Sequence, residues 1–268
     1  MDPQAFIPPM LATSAPASFS DRDWWFEPKW DGFRAQVSVT DRLSIRSRQG
    51  GSLLERFPAL QAAADAVMGP AVLDGEVVAW RGGRVDFYAL TVGQGTLAVV
   101  VFDCLYDRSG WLLAEPWTVR RKHLESAVRA GGPLVVCQGV QERGEDLFQA
   151  AGQLGLEGVV AKRRGSRYWP GRRTLAWRKF VHVQDLVVEV RSLTTQRGRW
   201  VAEVGAVGEW PILGRVLVPA APGGFRPPPE GGRLDLRPGI LATVQYRSRT
   251  PAGRLRHAVF RGYGAAAP

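Results

Sequence analysis

Beyond Lys179 the chain carries four strand-like runs, Leu186 to Val190, Trp200 to Val204, Ile212 to Val218 and Ile240 to Tyr246, with no helix-length pattern between them. Strands without helices to cover them must bury their apolar faces on one another, so this stretch of roughly 80 residues predicts a small all-β barrel or sandwich. Pro219 to Arg233, rich in Pro and Gly, reads as a loop between the third and fourth runs. Charge changes in the same region. Residues 1–162 hold 16 Lys/Arg against 19 Asp/Glu, a balance of −3, whereas residues 163–268 hold 19 against 6, a balance of +13. Texture and charge together place a boundary near Val181 or His182. The expectation is one domain over 1–182 and a second, suited to gripping a polyanion, over 183–268.

The first part mixes both periodicities. Residues 1–22 read as an irregular lead-in. Trp24 to Glu27, Ala35 to Val39, Leu43 to Ser47, Ala71 to Trp80, Leu97 to Leu105, Val135 to Gln138 and Gly158 to Ala161 read as strands. Leu54 to Met68 has helical spacing that Pro58 must start or bend, and Arg120 to Arg129 and Glu145 to Leu154 are further helices. This is an α+β pattern of mixed and antiparallel sheets. Hydrophobic residues make up 45% of the chain, with ten Trp and eleven Phe, enough to build a core and to exclude disorder throughout. Cys104 and Cys137 have no Cys or His companion nearby, which argues against a zinc site or a disulfide scaffold and fits a reducing cytosol. The first 22 residues make a poor signal peptide, and no 18-residue apolar run exists to span a membrane.

Only four of the 35 basic residues are lysines, and three of them, Lys29, Lys162 and Lys179, lie in short segments with other reactive types. An amine can attack a phosphorus and form a phosphoramidate; a guanidinium, almost always protonated, is a poor nucleophile. In Glu27-Pro28-Lys29-Trp30-Asp31-Gly32-Phe33-Arg34 the amine has apolar neighbours that ease loss of its proton, a carboxylate to orient it or a metal, and a cation for phosphate. Asp74-Gly75-Glu76 puts two carboxylates on one strand face, suited to ribose hydroxyls or Mg²⁺ or, taken alone, to a turn. Arg48 in Ser47-Arg48-Gln49-Gly50-Gly51 suits a phosphate or a solvated turn. Phe102 suits a stacked base or the core. Glu157 and Lys162 bracket an apolar strand at odd separation, so they share a pocket only through a bend or a strand end. Lys179 in Trp177-Arg178-Lys179-Phe180 adds a cation.

The ordered set, Lys29-x-Asp31-Gly32-x-Arg34, Ser47-Arg48-x-Gly50, Asp74-Gly75-Glu76, Phe102-Asp103, Glu157-Gly158-Val159-Val160-x-Lys162 and Trp177-x-Lys179, resembles the ATP-dependent DNA ligases, most closely those of bacterial end joining and repair. Leu255 to Gly262 resembles the end of their oligonucleotide-binding barrel, so the likeness covers nearly the whole chain. It implies an adenylation (nucleotidyltransferase, ATP-grasp-like) domain followed by an OB-fold domain that holds nicked duplex DNA. Lys29 would take AMP from ATP, pass it to a 5′-phosphate at a nick, and a 3′-hydroxyl would displace it. Glu27 would help hold adenine, Phe102 would stack on it, and Glu76 would hold the ribose. Arg34 and Arg48 would contact the nick or AMP phosphate, Lys162 and Lys179 would neutralise phosphate, and Glu157 with Asp31 would serve Mg²⁺ or Mn²⁺. The resemblance also implies work in DNA repair and recombination at the bacterial nucleoid, beside end-joining proteins. A cytoplasmic protein away from membranes is expected from the cysteines and the lack of an apolar span, and a monomer because Phe and Trp frequency by itself defines no exposed interface.

Two departures stand out. Val181 replaces a second lysine common two positions after the first in the Trp-x-Lys segment. The terminal Arg-x-Asp-Lys of the family gives way after Gly262 to Tyr263-Gly264-Ala265-Ala266-Ala267-Pro268, with Arg261 lying too early to substitute. Because that motif helps orient pyrophosphate, the expectation is weak self-adenylation with retained sealing of an adenylated nick. An RNA ligase, a capping-type guanylyltransferase and a non-catalytic DNA-end-binding relative are the alternative readings.

Overall fold

Ala71–Arg81 and Thr96–Asp107 are almost continuously apolar, the signature of strands covered on both faces. In the computed structural model, which describes residues 2–129, 131–209, 211–222, 225–226 and 228–264, they lie side by side in one of two facing sheets. The chain divides into two units, Met1–Val181 and His182–Pro268.

In the first unit, a five-stranded sheet is formed by β1 (Leu11–Ser14), β2 (Asp21–Lys29), β10 (Val140–Glu142), β11 (Gly158–Arg163) and β12 (Arg173–Val181), in the order β1-β12-β11-β2-β10. Its pairs are antiparallel except β1 with β12. The second sheet contains β3 (Phe33–Val39), β4 (Leu43–Ser47), β5 (Ala71–Arg81), β6 (Arg84–Val85), β7 (Thr96–Asp107), β8 (Gly110–Trp111) and β9 (Leu134–Val136). It runs β4-β3-β5-β7-β8, with β6 beside β5 and β9 parallel to β7.

Three apolar layers hold these sheets. The outer face of the second sheet packs on a 3₁₀ helix (Pro58–Ala66) and α2 (Trp117–Ala127), through residues such as Leu60, Leu73, Val101 and Leu124. α1 (Phe87–Thr91), capped by Asp86 accepting from Ala89 N at 2.9 Å, closes one side of that layer. Ile7, Met10, Val78, Val100, Phe102 and Trp177 fill the space between the two sheets. Phe26, Val159 and Phe180 on the far face of the first sheet cover α3 (Gly144–Gln153).

Three expectations change here. The lead-in is not irregular throughout: β1 forms because the edge of β12 offers it a parallel partner. The helix expected over Leu54 to Met68 is a nine-residue 3₁₀ segment starting at Pro58, whose ring forbids an earlier helical turn. Lys29 ends β2 itself, with Trp30 to Gly32 as the connection to β3. Gly32 is required there by close approach, since a Cβ would lie 2.0 Å from the Val77 carbonyl oxygen.

The second unit is all-β among the described residues. β13 (Gln184–Gln196), β14 (Arg199–Gly205), β15 (Ile212–Val218), β16 (Arg233–Asp235), β17 (Leu241–Tyr246) and β20 (Val259–Tyr263) make an antiparallel sheet in the order β15-β14-β13-β17-β20, with β16 beside β13. β18 (Ser248–Arg249) and β19 (Leu255–Arg256) form a separate hairpin. Val188, Val204, Val216 and Val244 are among the residues of its own core. Ala265 to Pro268, part of the altered terminus, lie outside the described residues.

Candidate active site

A cavity of about 210 Å³ opens among residues of the two facing sheets in the first unit. It is lined by Glu27, Lys29, Arg34, Arg48, Glu76, Phe102, Lys162 and Lys179, eight of the ten residues singled out from sequence, together with Leu11, Ala12, Trp30, Arg173 and Trp177. Strand register explains the gathering. Glu27, Val160 and Lys179 are cross-strand partners over β2, β11 and β12, and two positions along, on the same face, Lys29 pairs with Gly158, which pairs with Val181. On the opposing sheet Arg34 of β3 pairs with Glu76 of β5.

Glu157 reaches the site from outside the strand. It precedes β11 and is therefore free of the alternation that would turn it away from the Lys162 face. Gly158 makes this path available, because a Cβ there would sit 2.0 Å from the Phe180 carbonyl oxygen. Lys29 Nζ donates to a Glu157 carboxylate oxygen, and lies 3.4 Å from the Trp30 carbonyl oxygen. Asp31 is not on the cavity lining.

Lys162 is more deeply committed than its sequence suggests. Its ammonium is 2.6 Å from Glu27, with both side chains buried, and donates to the Phe102 carbonyl at 2.9 Å. It also lies 4.3 Å from the Phe102 ring centroid and 4.6 Å from that of Trp177, within cation–π range. Burial pushes the Glu27 carboxyl above its ordinary value, although Lys162 and Arg121 draw it down. Arg121 Nη1 is 3.7 Å from Glu27, whose Oε1 has no hydrogen-bond partner among the described residues. Glu27 is also part of the cavity lining, where a carboxylate suits a ligand donor such as an exocyclic amine.

Arg34, read from sequence as a phosphate contact, is held by a fork. Nε and Nη2 each donate to Asp74 at 2.6 Å, and Nη2 also donates to the Met10 carbonyl at 3.1 Å. Burial alone would weaken the Arg34 charge, but Asp74 outweighs it and holds the guanidinium above its usual range. Glu76 is pushed up to about 7 by burial, against the pull of Arg34 and Lys29. Arg48 is presented by a tight turn in which Gly50 N donates to the Ser47 carbonyl at 2.8 Å; Gly50 has φ +89°.

Sequence reading named Asp74 only as half of a pair and missed Arg121, Arg173 and Tyr168. No local motif marks them; Tyr168 meets Asp74 across 94 residues of sequence. Among the described residues no group of three or more His, Cys, Asp or Glu side chains could hold a metal ion by itself, and no helix is long and apolar enough to cross a membrane.

Comparison with known proteins agrees with this geometry. Residues 9–180 match the family described as ATP dependent DNA ligase domain. The chain is 32% identical to the multifunctional non-homologous end joining DNA repair protein LigD of Mycobacterium tuberculosis, over 96% of its own length and 38% of that protein. It is 31% identical to the SPbeta prophage-derived DNA ligase-like protein LigB of Bacillus subtilis, over 70% of this chain and 72% of that one. The crystal structure of the ligase domain of M. tuberculosis LigD superimposes with a TM-score of 0.61 at 29% identity, covering 96% of this chain and 95% of that domain. The two facing sheets and the lysine-bearing cavity are thus those of a nucleotidyltransferase domain of the ligase type. The chain belongs to the ATP-dependent DNA ligase family.

Proposed function

We propose that the protein seals 5′-phosphate/3′-hydroxyl nicks in duplex DNA through an AMP carried on Lys29. The observation that carries this reading is the placement of Lys29 on a cavity that also presents Glu27, Glu76 and Phe102, with Glu157 in contact with the amine. In the first step Lys29 Nζ attacks the α-phosphorus of ATP, a nitrogen–phosphorus bond forms, and pyrophosphate leaves with the electron pair of the broken phosphorus–oxygen bond. The amine must shed a proton to do so, and Glu157 is an acceptor within reach. An oxygen of the nick 5′-phosphate then takes the AMP and restores the lysine. Attack by the 3′-hydroxyl on the 5′-phosphorus expels AMP.

The donor set fits this chemistry. The Glu27 carboxylate, on the cavity lining, offers an acceptor to the amine of adenine, where guanine would present a carbonyl oxygen; this favours ATP over GTP. Glu76 stands opposite Arg34, suited to ribose hydroxyls. Arg48 and Lys179 add positive charge to the lining, as phosphoryl transfer requires. Glu157, in contact with the Lys29 amine, is the carboxylate that would hold Mg²⁺ or Mn²⁺ together with nucleotide phosphates, whereas Asp31, expected beside it, is off the cavity lining. The ion would supply charge neutralisation.

Residues 1–182 would be the adenylation domain and 183–268 an OB-fold that grips the duplex, supported by the antiparallel sheet of the second unit and the positive balance of that part of the sequence. The chain spans 38% of its LigD relative. Action as a monomer, and alongside end-joining or repair proteins, belongs to the same proposal. Val181 in the row of Lys29 motivates one refinement: self-adenylation is weak relative to sealing. Closure of adenylated and unadenylated nicks is to be compared at equal enzyme concentration. The adenylated nick should close faster; equal closure of both, or of neither, overturns the refinement.

A further inference from the structure

Arg34 uses three of its five N–H groups on Asp74 and the Met10 carbonyl, and its Nη1 has no hydrogen-bond partner among the described residues. Since Arg34 lines the cavity, the Asp74 fork decides where Nη1 can reach. Asp74 is itself held by a residue outside every motif. The Tyr168 hydroxyl donates to Asp74 Oδ2 at 2.7 Å and accepts from the Met10 backbone N–H at 2.9 Å. Tyr168 and Asp74 are each 2% exposed, so no solvent replaces either bond.

The result is a closed ring of groups: Arg34 to Asp74, Asp74 to Tyr168, Tyr168 to the Met10 amide, and the Met10 carbonyl back to Arg34. It binds the segment before β1 to the site. The same segment is fixed beside Tyr168 by Gly171 N donating to the Pro8 carbonyl at 2.8 Å and Leu11 N donating to the Arg172 carbonyl at 2.9 Å, and Leu11 and Ala12 then form part of the cavity wall. A tyrosine suits this place because one hydroxyl must both donate and accept; phenylalanine would fill the volume and do neither. Burial, with the adjoining Asp74 charge, pushes the Tyr168 hydroxyl well above its ordinary value, so it remains a donor to Asp74.

We infer that Tyr168 is a positioning residue for the ligation reaction: through Asp74 it sets the Arg34 guanidinium against the phosphate and fixes the N-terminal segment as a wall of the same cavity. The inference rests on the proposed function, in which Arg34 contacts the nick or AMP phosphate.

The test is a double-mutant cycle on closure of a pre-adenylated nick by the whole chain, with Tyr168→Phe, Arg34→Lys and the pair. Tyr168→Phe should close the nick on the order of 10- to 100-fold more slowly, as displaced positioning groups do. In the Arg34→Lys background, where no fork exists to be set, the added Tyr168→Phe change should matter less than about threefold. Wild-type rates for Tyr168→Phe, or effects that multiply, overturn the inference. A second measurement does not depend on activity. Solvent exchange of the Arg34 Nε–H, followed by NMR, should quicken in Tyr168→Phe because the carboxylate that accepts it is loosened; unchanged exchange overturns the positioning role. Failure of the wild-type protein to close the nick would instead remove the proposed function, leaving the exchange measurement to decide the role of Tyr168. Should Tyr168→Phe not fold, Asp74→Asn takes its place in both measurements, with the same outcomes.

Discussion

Lys162→Met should show that the pair under the cavity is held together by mutual need. Lys162 and Glu27 stand 2.6 Å apart with side chains 1% and 2% exposed. At an effective dielectric constant of about 20 their attraction is about 6 kcal/mol, and the desolvation of each ion, several kcal/mol, opposes it. The net worth of the intact pair is therefore small, whereas removing one partner leaves a buried charge and costs about 3–5 kcal/mol. Lys162→Met should lower stability by that amount at neutral pH, and adding Glu27→Gln should recover about 2 kcal/mol or more of it. Eight of the ten tryptophans lie within residues 1–181, so tryptophan fluorescence in urea follows the unit that holds the pair. The pH dependence has a defined sign. The folded-state Glu27 carboxyl is raised by burial, so protonation favours the fold. The deficit of Lys162→Met relative to wild type should be largest at neutral pH and should shrink as pH falls and Glu27 takes up a proton. Single effects that add to within about 0.5 kcal/mol in the double variant would refute the reasoning.

Further outcomes follow from other positions. Glu76, raised from 4.5 to about 7, contributes stability that is fully present below about 4.5 and lost as pH rises through about 7. Glu76→Gln should therefore melt higher than wild type at pH 8 with no advantage at pH 4.5, while transferring AMP more slowly; a lower melting temperature at pH 8 contradicts this. Gly158→Ala forces a Cβ to within 2.0 Å of the Phe180 carbonyl and should cost about 1–3 kcal/mol in denaturant melts while dislodging Glu157 from Lys29. Val181→Lys places an amine in the cross-strand row of Gly158 and Lys29 and should raise the rate of self-adenylation, measured as labelled protein against time. No increase would mean that Val181 is not the cause of a weak first step.

Residues whose chemistry is local were legible in the sequence. Lys29, Glu27 and Arg34 stand within eight positions of one another, and a lysine kept among arginines signals an amine needed as such. Glu157 and Lys162 were legible as a pair but not in geometry, because only the close packing of Gly158 against Phe180 shows that Glu157 escapes the strand's alternation. Asp74 was legible as half of a carboxylate pair but not as the partner of Arg34 and Tyr168, which are distant in sequence, and nothing in the neighbourhoods of Tyr168 and Arg121 distinguishes them from core or surface. The N-terminal segment was misread for the same reason. Its hydrogen-bond partners are Gln36, Arg34 and Tyr168 side chains and the edge of β12, none of which a short run such as Leu11–Ser14 reveals. The 3₁₀ segment was half legible: Pro58 marked where it starts, but apolar periodicity does not separate a 3₁₀ from an α-helix over nine residues.

The central claim, that Lys29 carries AMP, is tested most directly by incubating the protein with α-labelled ATP and Mg²⁺ and measuring label bound covalently to protein, beside Lys29→Ala. Acid-labile label on the wild-type chain, absent from Lys29→Ala, is the predicted result; label of equal extent on both would contradict the claim.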